Sequence, residues 1–297
     1  MTICAIIVLY HPDVQIGENI LALSEQVDNI VIVDNGSDPS IQSLLENMYL
    51  KLHIIRNQSN LGIAAALNIG VIQAKRLGCE WVATFDQDSK VTPGMISQML
   101  QVYEAYPNKG MLAGLSPCFQ DQESGKVSSN NMLSQNAESP DYQELLVAMT
   151  SGHLLKTSIF NTVGYFNEDL FIDHVDTEFC LRCAAFGYKF LEVNDAILEH
   201  NLGTPTQHRL MWKTFTTTNH SALRRYYNAR NGIFIYREYL WSQPRWVLKH
   251  MKSYVKSVIV MLLFEHDRLA KVTMIGRGIW DGLLGKFGKY AGQERFN

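Results

Sequence analysis

Over the first ninety residues the chain alternates between two patterns. Short runs dense in Ile, Val and aromatic residues read as strands: ICAIIVLY from Ile3, NIVIVDNG from Asn29, LHIIRN from Leu52 and WVATFDQD from Trp81. Stretches with apolar residues at helical spacing fall between them, near residues 16–27, 41–49 and 63–77. This order predicts an α/β fold, Rossmann-like, with a mostly parallel sheet flanked by helices. In such sheets ligands bind outside the carboxyl ends of the strands.

The pattern then changes. Residues 116–143 are polar and rich in Ser, Asn, Pro and Gly, which predicts a long loop of the kind that forms lids or substrate contacts. An apolar segment around 145–159 follows, then the turn NTVGYFNED, a helix over about 176–186, and short strand-like FLEV and AILEH ending at His200. In RWVLKHMKSYVKSVIVMLLF the cations Lys249, Lys252 and Lys256 recur at helical spacing beside Val247, Val255, Val258, Ile259 and Leu262. The charges interrupt any run long enough to span a bilayer. The reading is an interfacial amphipathic helix, with a second apolar-basic segment at GIWDGLLGKFGKY; a core-packing helix or a dimer face is the alternative.

Composition sharpens this division. The formal charge of −3 hides an acidic body and a basic tail: residues 1–204 carry 10 Lys and Arg against 24 Asp and Glu, and residues 205–297 carry 16 against 5. A basic tail suits a nucleic acid, an anionic membrane surface or a phosphorylated substrate as neighbour. The expected organisation is a domain over 1–205, divided into a nucleotide-binding half at 1–115 and an acceptor-binding half at 116–205, and a basic helical region over 206–297. Five cysteines without a repeating spacing argue against a disulfide framework, and Cys180 and Cys183 read as packing residues one helical turn apart. No basic, apolar and cleavage-site sequence opens the chain, so it is expected to stay in the compartment where it is made.

The candidate chemistry lies at the strand ends, which carry Tyr10, Asp34 with Asn35, Asn57 with Asn60, and Asp86 with Asp88. Turn and cap preferences account for any one of these, but poorly for four consecutive ends. Neither GxxxxGK[ST] nor GxGxxG follows the first strand. The remaining way to hold a diphosphate is a divalent cation, Mg²⁺ or Mn²⁺, bridging it to carboxylates, and Asp86-Gln87-Asp88 fits that need.

With these strand ends the sequence resembles family 2 glycosyltransferases over about residues 3–203, which implies the GT-A fold. The resemblance implies a nucleotide-sugar site at Tyr10, Asp34, Asn60, Gly62 and Asp86, with Asp88 and His200 at the metal. In FIDHVDTEFCLR, alignment on CLR places the general base of an inverting transfer at Asp176. Val175 departs from the commonest pattern, which has Glu there, so Asp173 and Glu178 stand as alternative bases; Asp176 as a simple helix cap is another reading. FIDHVDTEFCLR, EHNLG and RRYYNARNGIFIYR together resemble the subgroup that moves L-rhamnose from dTDP-L-rhamnose in O-antigen or cell-wall polysaccharide synthesis. That implies a lipid-linked oligosaccharide acceptor, a peripheral position on the cytoplasmic face of the plasma membrane, and no nucleic acid partner. In the last string Arg224 and Arg230 are candidates for holding a diphosphate, with a solvated cationic face as the alternative. Three competing readings are a family member using another nucleotide sugar, a sugar-phosphate nucleotidyltransferase, and a non-catalytic membrane-surface protein. The second lacks its Gly-rich basic loop, and the third leaves the acidic strand ends unexplained.

Overall fold

The computed structural model describes residues 1–13, 16–37, 52–121, 125, 127–128, 141–200, 206–210, 213–217 and 219–292. The helix expected at 41–49 and most of the polar stretch at 122–140 lie outside these residues.

Strand β1 (Ile3–Leu9) is buried along its whole length. It pairs in parallel with β2 (Asn29–Asp34) on one side and β4 (Trp81–Asp86) on the other, and β3 (Leu52–Arg56) extends the parallel set beyond β2. A central parallel strand is covered on both faces, which is why ICAIIVL is an unbroken apolar run rather than an alternating one. Helices α1 (Ile16–Ser24) and α2 (Ile63–Arg76) supply cover. Gly70 lets α2 lie against β1, since a Cβ there would collide with the Ile6 side chain. Lys75 and Arg76 complement the carboxyl end of α2, and Gly78, at φ +75°, turns the chain out.

The rest of the sheet is mixed. After β5 (Ser89–Val91) and helix α3 (Met95–Ala105) come β6 (Leu112–Asp121), the short β7 (Val127–Ser128), β8 (Tyr142–Leu145), β9 (His153–Lys156) and β10 (Lys189–His200). The order among the described residues is β3-β2-β1-β4-β9-β6-β10-β5, with β7 on β6 and β8 on β10. Strand β9 is antiparallel to both neighbours, while β6 and β10 run parallel.

Two expectations change here. Residues 116–121 belong to β6, where Ser116, Cys118 and Phe119 are buried, and not to a loop. The pairing with β9 covers only Gly114 and Leu115, so Pro117, which has no N–H to give, falls where that neighbour has left. FLEV and AILEH form a single strand, with an irregularity in register between Val193 and Ile197.

Helix α4 (Ile159–Thr162) and α5 (Val175–Ala185) complete this part. Cys180 and Cys183 are both fully buried on α5, and burial raises both thiols well above the ordinary range.

The chain divides into two compact units, Met1–Asn167 with Asp176–Asn201, and Glu168–Val175 with Leu202–Asn297. The second contains the antiparallel pair β11 (Thr206–Leu210) and β12 (Lys213–Thr217), and helices α6 (Ala222–Tyr239), α7 (Pro244–Phe264) and α8 (Arg268–Leu283). Gly278 and Gly282, one turn apart on α8, admit the backbone of α6; a Cβ at 282 would lie 2.8 Å from the Arg230 carbonyl oxygen. Glu265 is buried between Arg225 and Lys271, each 2.8 Å away. Burial alone would push its carboxyl up, but the Lys271 hydrogen bond and the two positive charges outweigh this and hold it below the usual range.

Candidate active site

The first unit gathers the four carboxyl strand ends at one rim. After β1 the chain turns sharply, with His11 at φ +47°. Its backbone N–H donates to Ser37 Oγ (2.9 Å), and the Ser37 N–H donates to Asp34 Oδ1 (2.9 Å). The Asp34 side chain therefore braces the turn at the end of β2 while remaining half-buried. The Tyr10 side chain stays 39% exposed, and its backbone N–H donates to Gln87 Oε1 (2.9 Å).

Asn35 is the hub of the next two ends. Its Oδ1 accepts from Asn57 Nδ2 and from the Leu61 N–H, both at 3.0 Å. Its Nδ2 donates to Asn60 Oδ1 (3.1 Å) and to the Gly62 carbonyl (3.3 Å). Asn60 Oδ1 also accepts the Gly62 N–H at 2.9 Å, and Gly62 has φ +90° where α2 begins. Gly36, at φ +92°, has no room for a side chain, because a Cβ would sit 2.8 Å from the Asn60 nitrogen. Asn60 and Gly62 thus form a stiffened wall beside Asp34. The sequence places Asn35 among the strand-end residues but gives it no role of its own; its position in Asp34-Asn35-Gly36 after a buried strand reads only as a turn signal.

The turn Asp86-Gln87-Asp88 is held on three sides. The Asp86 N–H donates to Ser151 Oγ (3.2 Å), Ser151 and Ser89 share a hydroxyl hydrogen bond of 2.6 Å, and the Gln87 carbonyl accepts from Asn19 Nδ2 (3.3 Å). Asp86 is half-buried and Asp88 exposed. Directly after the turn, β5 pairs with the end of β10, and Ser89 stands opposite His200. The backbone of His200 is therefore beside the carboxylate turn, though 111 positions separate it from Ser89 in the numbering; its side chain lies outside the described residues. The contribution of Ser151 comes only from the β4–β9 pairing and leaves no local mark in the sequence.

Among the described side chains, no group of three His, Cys, Asp or Glu forms a closed metal cage. Two carboxylates on one turn still fit an ion such as Mg²⁺, which is commonly held by one or two carboxylates with substrate phosphates completing its shell.

Asp176 stands in the first turn of α5, half-buried, with Oδ1 accepting from its neighbour's Thr177 N–H (2.6 Å). Glu178 is of another kind. It is buried and forms a two-point ion pair with Arg182 (2.9 and 2.8 Å), whose other donors go to the carbonyls of Val163 and Tyr165. A carboxylate so occupied is a structural anchor.

In the second unit Asp173 pairs with Arg224 at 3.2 Å. Arg230 corrects the expectation that it grips a diphosphate. It is 1% exposed, and all its nitrogens are engaged: Nε on Asn231 Oδ1, Nη1 on the Gly288 carbonyl, and Nη2 on the carbonyls of Asp169 and Leu170. The rings of Tyr226, Tyr227 and Phe287 surround it.

The sequence profile of Glycosyl transferase family 2 matches residues 4–165. The chain is a family 2 glycosyltransferase. Over 245 residues, 80% of each protein, this glycosyltransferase is 31% identical to the dTDP-rhamnosyl transferase RfbF of Shigella flexneri. It is 22% identical over 261 residues to the galactofuranosyltransferase GlfT1 of Mycolicibacterium smegmatis, covering 82% of this chain and 83% of the relative. Among solved structures, GalNAc-T7 with UDP, GalNAc and Mn²⁺ superposes with a TM-score of 0.55 at 14% identity, over 71% of this chain and 44% of that one. The fold of this glycosyltransferase is GT-A.

Proposed function

We propose that this glycosyltransferase moves L-rhamnose from dTDP-L-rhamnose, with inversion, to a hydroxyl of a lipid-linked glycan. The observation that carries the donor is the identity to a dTDP-rhamnosyl transferase along four-fifths of both chains. The nucleotide lies along the rim, with Tyr10 against the base, Asp34 on the base or ribose, and Asn60, Gly62 and Asp86 forming the wall. Asp176 takes the proton of the acceptor hydroxyl while that oxygen attacks the anomeric carbon and the bond to the diphosphate breaks. Asp176 is chosen on its alignment with the family's base before CLR, and Glu178 and Asp173 each carry an arginine partner. A divalent cation at Asp88 and His200 would offset the charge of the leaving diphosphate. Arg230 has no ligand in this scheme, and Arg224 is assigned to Asp173.

The outward face of α7 supports the reading that the acceptor is held at a membrane. Leu248, Met251, Val255, Ile259 and Leu262 are all exposed at helical spacing, with Arg245, Lys249, Lys252 and Lys256 along one flank. Among the described residues no helix is long and apolar enough to cross a bilayer. An apolar stripe edged by cations suits the interface of an anionic lipid surface.

The test of the chemistry is Asp176→Asn. Its transfer rate is expected to fall about 10²- to 10⁴-fold with donor affinity and folding unchanged; full transfer by the folded variant removes Asp176 as base.

A further inference from the structure

The string RRYYNARNG is not absorbed by the site described above, and its buried residues act on one short piece of chain. Residues Glu168–Val175 leave the first compact unit and pack with the second. Three of them, Phe171, Asp173 and His174, have φ of +62°, +62° and +63°. None is glycine, and L-residues with a Cβ avoid that region, so something must hold the segment there.

The holding contacts come from α6. Asn231, fully buried, points its Nδ2 at the carbonyls of Leu170 (2.9 Å), Ile172 (2.8 Å) and Asp173 (2.9 Å). Arg230 Nη2 takes the carbonyls of Asp169 (3.2 Å) and Leu170 (3.0 Å), and its Nε donates to Asn231 Oδ1 (2.9 Å), which fixes the amide's orientation. Phe171 stacks on Tyr227 with ring centroids 5.2 Å apart, and Arg224 holds the Asp173 carboxylate. His174 is buried with no hydrogen-bond partner on Nε2 and rests edge-on against His250. The carbonyls of Asp169, Leu170, Ile172 and Asp173 are thus gathered on two side chains adjacent in sequence.

This segment ends at Val175, the first residue of α5, and Asp176 is next. A backbone held in a sparsely populated conformation directly before a reacting group is a recurrent arrangement at functional sites. We infer that Arg230 and Asn231 are positioning residues for transfer, holding Phe171, Asp173 and His174 left-handed so that α5 starts with the Asp176 carboxylate in its productive place. Neither touches substrate. The inference rests on the reading of Asp176 as the base.

Asn231→Asp tests it, because the change is isosteric and turns a donor facing three carbonyls into an acceptor. The assays are transfer kinetics, donor binding, and the same substitution made on the Asp176→Asn background. The expected result is a fall in kcat of about 10- to 100-fold, of the size that misplacing a catalytic group by about 1 Å produces. The KM for donor should stay within about twofold, with little or no further loss on the Asp176→Asn background, since residues acting through one group are not additive. If Asn231→Asp does not fold, Arg224→Ala, at a half-exposed position, replaces it, with a fall of a few-fold and the same non-additivity. Unchanged kcat, donor binding lost in step with kcat, or an equal fold-loss on both backgrounds would each overturn the positioning role. Full transfer by Asp176→Asn alone would show instead that the base assignment had failed.

Discussion

Asp176 and Glu178 lie two positions apart in the first turn of α5, and Glu178 is locked in an ion pair with Arg182. The sequence contains half the reason: Arg182 is four residues beyond Glu178, the spacing of a helical ion pair. It does not contain the other half, the carbonyls of Val163 and Tyr165 that fix the guanidinium from another part of the chain. Arg230 was misread for the same reason. A cation in a Tyr-rich helix looks available until the carbonyls that surround it are known, and those belong to residues about sixty positions away. A third buried group gives a pH test. His153 is buried against Phe190 with Nε2 unpartnered, and burial lowers its pKa to about 3. Unfolded chains bind that proton near pH 6.5, so below this value the unfolded state holds more protons and stability falls with falling pH. His174 and His250, lowered by burial to about 4, act in the same direction. Between pH 7 and 5, His153→Leu is expected to lose about 2 kcal/mol less than the parent in urea unfolding. Parallel losses would contradict this account of His153.

At the scale of elements, the strands were the most legible part. Continuous apolar runs gave β1, β2 and β4, because strands buried on both faces need no alternation. What periodicity could not give was pairing: that β9 would enter antiparallel between β4 and β6, or that β5 would bring Ser89 opposite the end of β10. Helix α7 was read correctly as a helix, but its faces were incomplete. Val247, Val260 and Met261 are buried, while a second apolar stripe from Leu248 to Leu262 faces outward beside the lysines. Such a helix satisfies its own fold and leaves apolar surface over. With α7 at the interface, Val255→Glu with Ile259→Glu is expected to reduce association with vesicles containing anionic lipid by at least about tenfold, while association with the parent weakens as salt rises. Undiminished cosedimentation of the folded double variant would remove the membrane reading of this face.

For the whole molecule, the charge division in the sequence runs close to the structural one. The acidic residues 1–204 nearly coincide with the unit ending at Asn201, and the basic residues fall in the unit that follows. The exception is Glu168–Val175, which packs with the later unit although its composition gives no sign of it. A short segment can change allegiance largely through its backbone carbonyls, and these acceptors are the same in every residue. The four strand ends were legible as a candidate site because each carries Asp, Asn or Tyr where an open α/β sheet binds ligands. The hydrogen bonds that make Asn35 a hub and Gln87 and Ser151 braces were not, since they reach partners up to 77 residues away. The central claim is a transferase that takes rhamnose from its nucleotide diphosphate with a cation at the carboxylate turn. The most direct test is turnover by the purified protein across a panel of nucleotide sugars, with Mn²⁺ or Mg²⁺ and with chelator. Release of dTDP from dTDP-L-rhamnose, abolished by chelator and not matched by other donors, is the expected result. Preferred turnover of another nucleotide sugar would contradict the donor, and turnover unaffected by chelator would contradict the cation.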